Sequence, residues 1–145
     1  MTVGPKLAEP NSDLLVTPTA DQPPTEPGAS ARSIELTRLA AQAAADKLGT
    51  DIVALDVSQR LGLTDVFLLV SGANDRQVSA IVDAIEERLL AEGVKPIRRE
   101  GDSDTRWVLL DFFDIVVHVQ LAEARTLFAL DRLWHDCPTI DLDLA

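Results

Sequence analysis

Six of the chain's eight prolines (Pro5, Pro10, Pro18, Pro23, Pro24 and Pro27) lie within its first 28 residues. Proline fixes φ and has no amide N–H to donate, so this density defeats both a helix and a sheet ladder. The only apolar run there is Leu14-Leu15-Val16. Residues 1–30 therefore read as a disordered acidic arm, with Lys6 set against Glu9, Asp13, Asp21 and Glu26. A misassigned start codon would give the same pattern. From Ser33 onward only Pro96 and Pro138 remain. A chain of 145 residues supports one hydrophobic core. The expected organisation is an arm over 1–30, one domain over 31–136 and a C-terminal tail over 137–145.

Within the domain, helical and strand periods alternate. Leu36, Leu39, Ala40 and Ala43, with Lys47 or Leu48, mark one face of a helix. Ser33 is its expected N-cap, Glu35 favours its first turn, and Gly49 stops it. Asp51 to Val57 reads as a strand. Asp65 to Val70 is apolar on both faces, which predicts a central strand. Asn74 caps a second helix, with Gln77 completing a capping box, and Val78, Ile81, Val82, Ile85 and Leu89 follow at helical spacing until Gly93. Lys95 to Glu100, carrying Pro96, reads as a short edge strand. Arg106 to Asp111 and Asp114 to Leu121 form a hairpin about Phe112-Phe113, and a last helix runs from about Glu123 to Trp134. This order predicts an α/β fold, a mixed sheet packed with helices. Residues 66–94 would supply one right-handed strand–helix–strand crossover.

The charge balance narrows the function classes. Asp and Glu number 24 against 13 Lys and Arg, a formal net charge of −11. That argues against direct nucleic-acid binding through phosphates, which depends on Lys and Arg displacing counterions. It suits a basic partner. A single cysteine, Cys137, excludes an internal disulfide and a cysteine-rich zinc site. No run approaches the roughly 20 apolar residues of a bilayer span, so no membrane association is expected. Residues Met1 to Pro10 lack the basic start and apolar run of a secretory signal, and the expectation is a soluble, cytoplasmic protein.

Catalytic arrangements are thin. His118 and His135 show no metal-binding spacing, so neither a metal nor a cofactor is expected. Val70-Ser71-Gly72 leads into a helix and is similar to a phosphate-cradling helix start, which leaves a nucleotidyltransferase-like enzyme as the alternative reading. Such chemistry needs two carboxylates on one face of a strand. Asp102 and Asp104 sit in a glycine-led loop, Asp141 and Asp143 lie near the C-terminus where ends fray, and Asp111 and Asp114 are three apart across a turn. There is no P-loop lysine. Ser71 lacks a Gly-x-Ser-x-Gly elbow, and Cys137 has no evident base.

What stands out is aromatic material on the hairpin. Trp107, Phe112 and Phe113 are half of the six aromatic residues. On a strand, Trp107, Leu109 and Asp111 point one way and Val108 and Leu110 the other. Phe112 and Phe113 fall at the tip, where burial within one small domain is difficult. Two readings stand: a binding anchor displayed on a rigid hairpin, or a covered tryptophan beside a tolerated apolar turn.

Several runs together resemble the ribosomal silencing factor family (RsfS, also called Iojap or YbeB). They are Thr64 to Gly72, Asp75-Arg76-Gln77, Glu100-Gly101, Arg106 to Asp111, Asp114 to Val119 and Leu130 to Trp134, so the likeness spans about residues 33–135. The resemblance implies a fold of nucleotidyltransferase-like topology without the catalytic carboxylates. It implies no enzymatic activity and no cofactor. Instead it implies binding to protein fourteen of the large ribosomal subunit, which blocks joining with the small subunit and represses translation under nutrient limitation, and a homodimer when free. Carried over by position, it marks Trp107 as the apolar anchor, with Leu109, Leu110, Asp111, Phe112, Phe113, Asp114, His118 and Arg76 as site residues. Arg76 and His118 are equally read as structural ties between the helix start and the sheet. The chain departs from the pattern at Val66, where Tyr or Cys is usual, and at Phe113, where Gly is common. A non-glycine there implies a turn that avoids positive φ.

Overall fold

The computed structural model describes residues 28–101, 106–128 and 130–144; most of the arm and the Asp102/Asp104 pair lie outside them. Helix α1 (Ala31–Asp46) starts where Ser30, in extended conformation, accepts the Ser33 N–H on its hydroxyl at 3.0 Å. The N-cap is thus Ser30 and not the predicted Ser33. Ser33 is buried, and its hydroxyl donates to Asp65 Oδ2 at 2.8 Å, the same oxygen that takes the Ser30 N–H at 3.1 Å. A second carboxylate, buried Asp56, accepts the Ala29 N–H and the N–H and hydroxyl of Ser58. Two carboxylates therefore fix the point where the chain enters the domain.

The far end of α1 also differs from expectation. Leu48, not Gly49, takes the left-handed conformation (φ 65). The Gly49 N–H reaches back to the Ala44 carbonyl at 2.9 Å and the Leu48 N–H to Ala45 at 2.9 Å, satisfying carbonyls that the helix end would leave bare. Gly49 is needed for closeness: a Cβ there would stand 2.9 Å from Val70 Cγ1 and 3.0 Å from the Ala44 carbonyl oxygen.

Strand β1 (Thr50–Asp56), a single-turn helix α2 (Ser58–Leu61) and strand β2 (Val66–Gly72) follow. Helix α3 (Asp75–Leu90) has the predicted cap: Asn74 Oδ1 accepts from the Gln77 N–H at 2.8 Å. The Gln77 amide accepts the Ala73 N–H and donates to the carbonyls of Lys47 and Leu48, so this one side chain ties α3 to the end of α1. Strands β3 (Arg98–Glu100), β4 (Trp107–Asp111) and β5 (Ile115–Leu121) complete a five-stranded mixed sheet in the order β1-β2-β5-β4-β3. The β2–β5 pair is parallel and the other pairs are antiparallel. Helix α3 carries the chain from β2 to β3 at the opposite edge, while β5 is the parallel neighbour of β2. The predicted last helix is described as α4 (Ala122–Phe128) and α5 (Leu130–Leu133), on either side of Ala129, which lies outside the described residues.

Period-two alternation sorts the sheet into two faces. Val66, Leu68, Val70, Val108, Leu110, Val117 and Val119 form the main core with α1 and α3. On the other face Leu55, Leu69, Val53 and Phe67 pack with Cys137, Leu130 and Trp134. The segment after α5, predicted as a loose tail, runs along the β1 edge. The Asp56 N–H donates to the Pro138 carbonyl and the Ile140 N–H to that of Ala54, and Ile140 and Leu142 are buried. Alternation along Ile140-Asp141-Leu142-Asp143 supplies an apolar side for the core and a polar side for water. No described helix is long and apolar enough to cross a membrane.

Candidate functional site

Among the described residues, the outer face of the sheet is covered only in part. Leu130, Trp134 and Cys137 lie over the β1–β2 side. Beyond β5, Trp107, Leu109 and Asp111 of β4 point outward and are half-buried, while Val108 and Leu110 between them are buried against the helices. The register sets Leu109 between His118 of β5 and Glu100 of β3, and Asp111 between Val116 and Arg98. The result is a short apolar stripe, Trp107 and Leu109, bordered by charge. Arg98 stands 3.2 Å from Glu100 and 3.5 Å from Asp111.

His118 lies beside this stripe. It is 5% exposed, and its Nδ1 accepts a hydrogen bond from the Trp107 indole N–H at 3.1 Å. Phe67 meets the imidazole edge-on at 5.0 Å, Trp134 meets Phe67 edge-on at 5.3 Å, and the Arg60 guanidinium covers Trp134 at 4.6 Å. Burial pushes the His118 pKa down to about 4, so the ring is neutral at neutral pH. Phe67 and Trp134 gave one usable sequence signal: Phe67 is the outward-facing aromatic on an otherwise aliphatic strand.

At the hairpin tip the structure separates the two phenylalanines. Phe112 is 7% exposed and joins the main core, which corrects the expectation that both are displayed. Phe113 is 52% exposed. It adopts φ 76, so the turn keeps the left-handed conformation that its side chain was expected to forbid. Asp111 Oδ1 accepts the Phe113 N–H at 2.8 Å and holds that turn closed. Asp114 is exposed, and its carbonyl takes the N–H groups of Asp65 and Val66. This brings the α2–β2 loop, with Leu63 at 73% exposure, alongside the tip.

Of the site residues expected from sequence, Trp107, Leu109 and Asp111 share one open face, with Phe113 and Asp114 at its end. Leu110 and Phe112 face the helices and are buried, so neither presents a side chain to a partner. Arg76 is exposed on the first turn of α3, in the layer that packs on the opposite sheet face, and is not brought to this stripe. His118 is on the same sheet face but buried, beside Trp107.

The groups an enzyme would need are scattered. Ser71 is fully buried and accepts a hydrogen bond from Arg125 Nη1 at 2.9 Å. Asp141 and Asp143 lie on the segment along β1, while Asp111 and Asp114 belong to the β4–β5 turn, on the other side of β2 and β5. Burial, with the Asp136 carboxylate beside it, raises the Cys137 thiol pKa, the reverse of nucleophile activation. Among the described residues, no three His, Cys, Asp or Glu side chains are grouped to hold a metal ion.

A family model described as "Ribosomal silencing factor during starvation" matches residues 30–145. The chain belongs to this family. Its members are non-enzymatic regulators associated with the ribosome, and their shared role is ribosome silencing. The ribosomal silencing factor of Bacillus subtilis is 40% identical over 106 residues, covering 73% of this chain and 90% of that protein. A crystal structure of a protein from Chromobacterium violaceum superposes with a TM-score of 0.67 at 35% identity, covering 70% of this chain and 84% of that one. A more distant mouse relative, named "Mitochondrial assembly of ribosomal large subunit protein 1", is 29% identical over 87 residues, covering 58% of this chain and 38% of its own length. The family match extends through the C-terminal segment, in keeping with the burial of Ile140 and Leu142.

Proposed function

We propose that this family member silences ribosomes by occupancy: it binds the large subunit through ribosomal protein fourteen and physically prevents the small subunit from joining. The observation that carries this reading is the Trp107–Leu109 stripe, half-buried on the outer face of the sheet beyond the cluster of Leu130, Trp134 and Cys137. A buried or half-buried aromatic amid a polar rim is the usual form of a binding hot spot. Leu109 extends the apolar contact, Phe113 ends it, and Asp114 offers a carboxylate to a basic partner. Asp111 contributes less directly, because one of its oxygens already closes the turn. The name of the mouse relative points to the large subunit, and the description of the family model points to starvation as the setting.

A homodimer when free and a cytoplasmic location belong to the same proposal, as does an arm separate from the domain, shortened from the expected 1–30 because Ala29 and Ser30 dock on Asp56 and Asp65. Occupancy needs no turnover, only a complex that outlives encounters with the small subunit. Co-sedimentation with purified large subunits tests the contact. Trp107→Ala should lose about 2 kcal/mol of binding, roughly thirty-fold in Kd. Wild-type affinity in that variant removes the stripe from the interface.

A further inference from the structure

We propose that His118 is a positioning residue that holds the Trp107 indole in the orientation the large subunit meets. The inference rests on the reading of Trp107 as the anchor. An indole nitrogen only donates, so the 3.1 Å contact requires a lone pair on His118 Nδ1 and places the ring's one proton on Nε2. The imidazole has little freedom to turn away. It is wedged between Phe67 and Trp107, with ring centroids 5.0 and 5.7 Å distant, and its row neighbours on the sheet are Leu69 and Leu109. Phe67 is itself backed by Trp134. A rigid aromatic row thus supports one half-exposed indole. An anchor already fixed in its bound orientation has less rotamer freedom to lose on association. His118 does this from its buried place beside the indole on the same sheet face and does not touch the partner.

The first test uses the wild-type full chain. Long-range proton–nitrogen NMR spectra should show His118 as the Nε2–H tautomer with Nδ1 unprotonated, and a protonated Nδ1 at neutral pH overturns the inference without any substitution. The second test compares binding to purified large ribosomal subunits with the indole N–H resonance of Trp107, assigned with Trp134→Phe. His118→Phe keeps a ring but removes the acceptor; His118→Leu is the smaller companion should the first not fold. Either should weaken binding roughly three- to tenfold and move the Trp107 resonance. His118→Asn, whose amide oxygen lies near the Nδ1 position, should recover most of both effects. Unchanged binding by His118→Phe, alongside weakened binding by Trp107→Ala, defeats the positioning role alone. Unchanged binding by Trp107→Ala defeats the anchor reading and this inference together.

Discussion

Replacing Phe113 by glycine should make the protein more stable and a poorer binder. Phe113 sits at φ 76, where a residue with a Cβ carries roughly 1–2 kcal/mol of steric cost. Glycine removes that cost but gives the unfolded chain more freedom, which takes back about 0.4–1 kcal/mol. The side chain is 52% exposed, so its removal opens no core cavity. The hydrogen bond that closes the turn uses the backbone N–H and survives the change. The net gain is about 0.5–1 kcal/mol, a rise of several degrees in Tm for a domain of this size. Phe113→Ala keeps the strain and should show no such rise. Thermal unfolding monitored by circular dichroism reads the first half of the prediction, and co-sedimentation with large subunits reads the second. A lower Tm for Phe113→Gly than for Phe113→Ala would refute the strain reasoning. A higher Tm with undiminished binding would show that the strain is not kept for contact.

Other perturbations test separate parts of the account. The folded-state pKa of His118, about 4, lies below its ordinary 6.5, so the unfolded chain takes up more protons between those values. Stability should therefore be complete above pH 6.5 and fall toward pH 4, with a contribution on the order of 3 kcal/mol. Denaturant melts across that range should lose this component in His118→Asn, and an identical pH profile in the two proteins would contradict it. Leu48→Gly relieves the same kind of strain at the end of α1, where the side chain is 76% exposed, and should raise stability by up to about 1 kcal/mol; a lower Tm would count against the assignment. Asp114→Lys should slow association with large subunits and flatten its dependence on salt, as stopped-flow measurements would show, whereas unchanged kinetics would make Asp114 a solvated turn residue.

The sequence was most legible where local chemistry and tertiary packing agree. Asn74 and Gln77 announce α3, and the apolar run from Val66 to Val70 announces an interior strand, because no surrounding element overrides either signal. It was least legible where packing overruled local preference. Leu48 and Phe113 both adopt a conformation that leucine and phenylalanine disfavour, one because Gly49 is needed against Val70, the other because Asp111 closes the turn from its side. The choice of Ser30 over Ser33 as N-cap depends on Asp65, which lies 32 residues beyond Ser33 and captures its hydroxyl. Strand alternation placed Trp107, Leu109 and Asp111 together correctly. It lost its hold at the turn, where Phe112 goes inward and Phe113 outward. The covering of β1 was readable in Ile140-Asp141-Leu142-Asp143 as an alternating pattern, but nearness to the C-terminus argued for fraying.

The most direct trial of the account is subunit joining followed by light scattering, with large subunits first saturated by the full chain and small subunits then added. Occupancy of the joining surface predicts that complete ribosomes form slowly or not at all, and that Trp107→Ala at the same concentration restores their formation. Normal assembly on saturated large subunits would show that the protein binds without obstructing, and the proposed mode of silencing would be wrong.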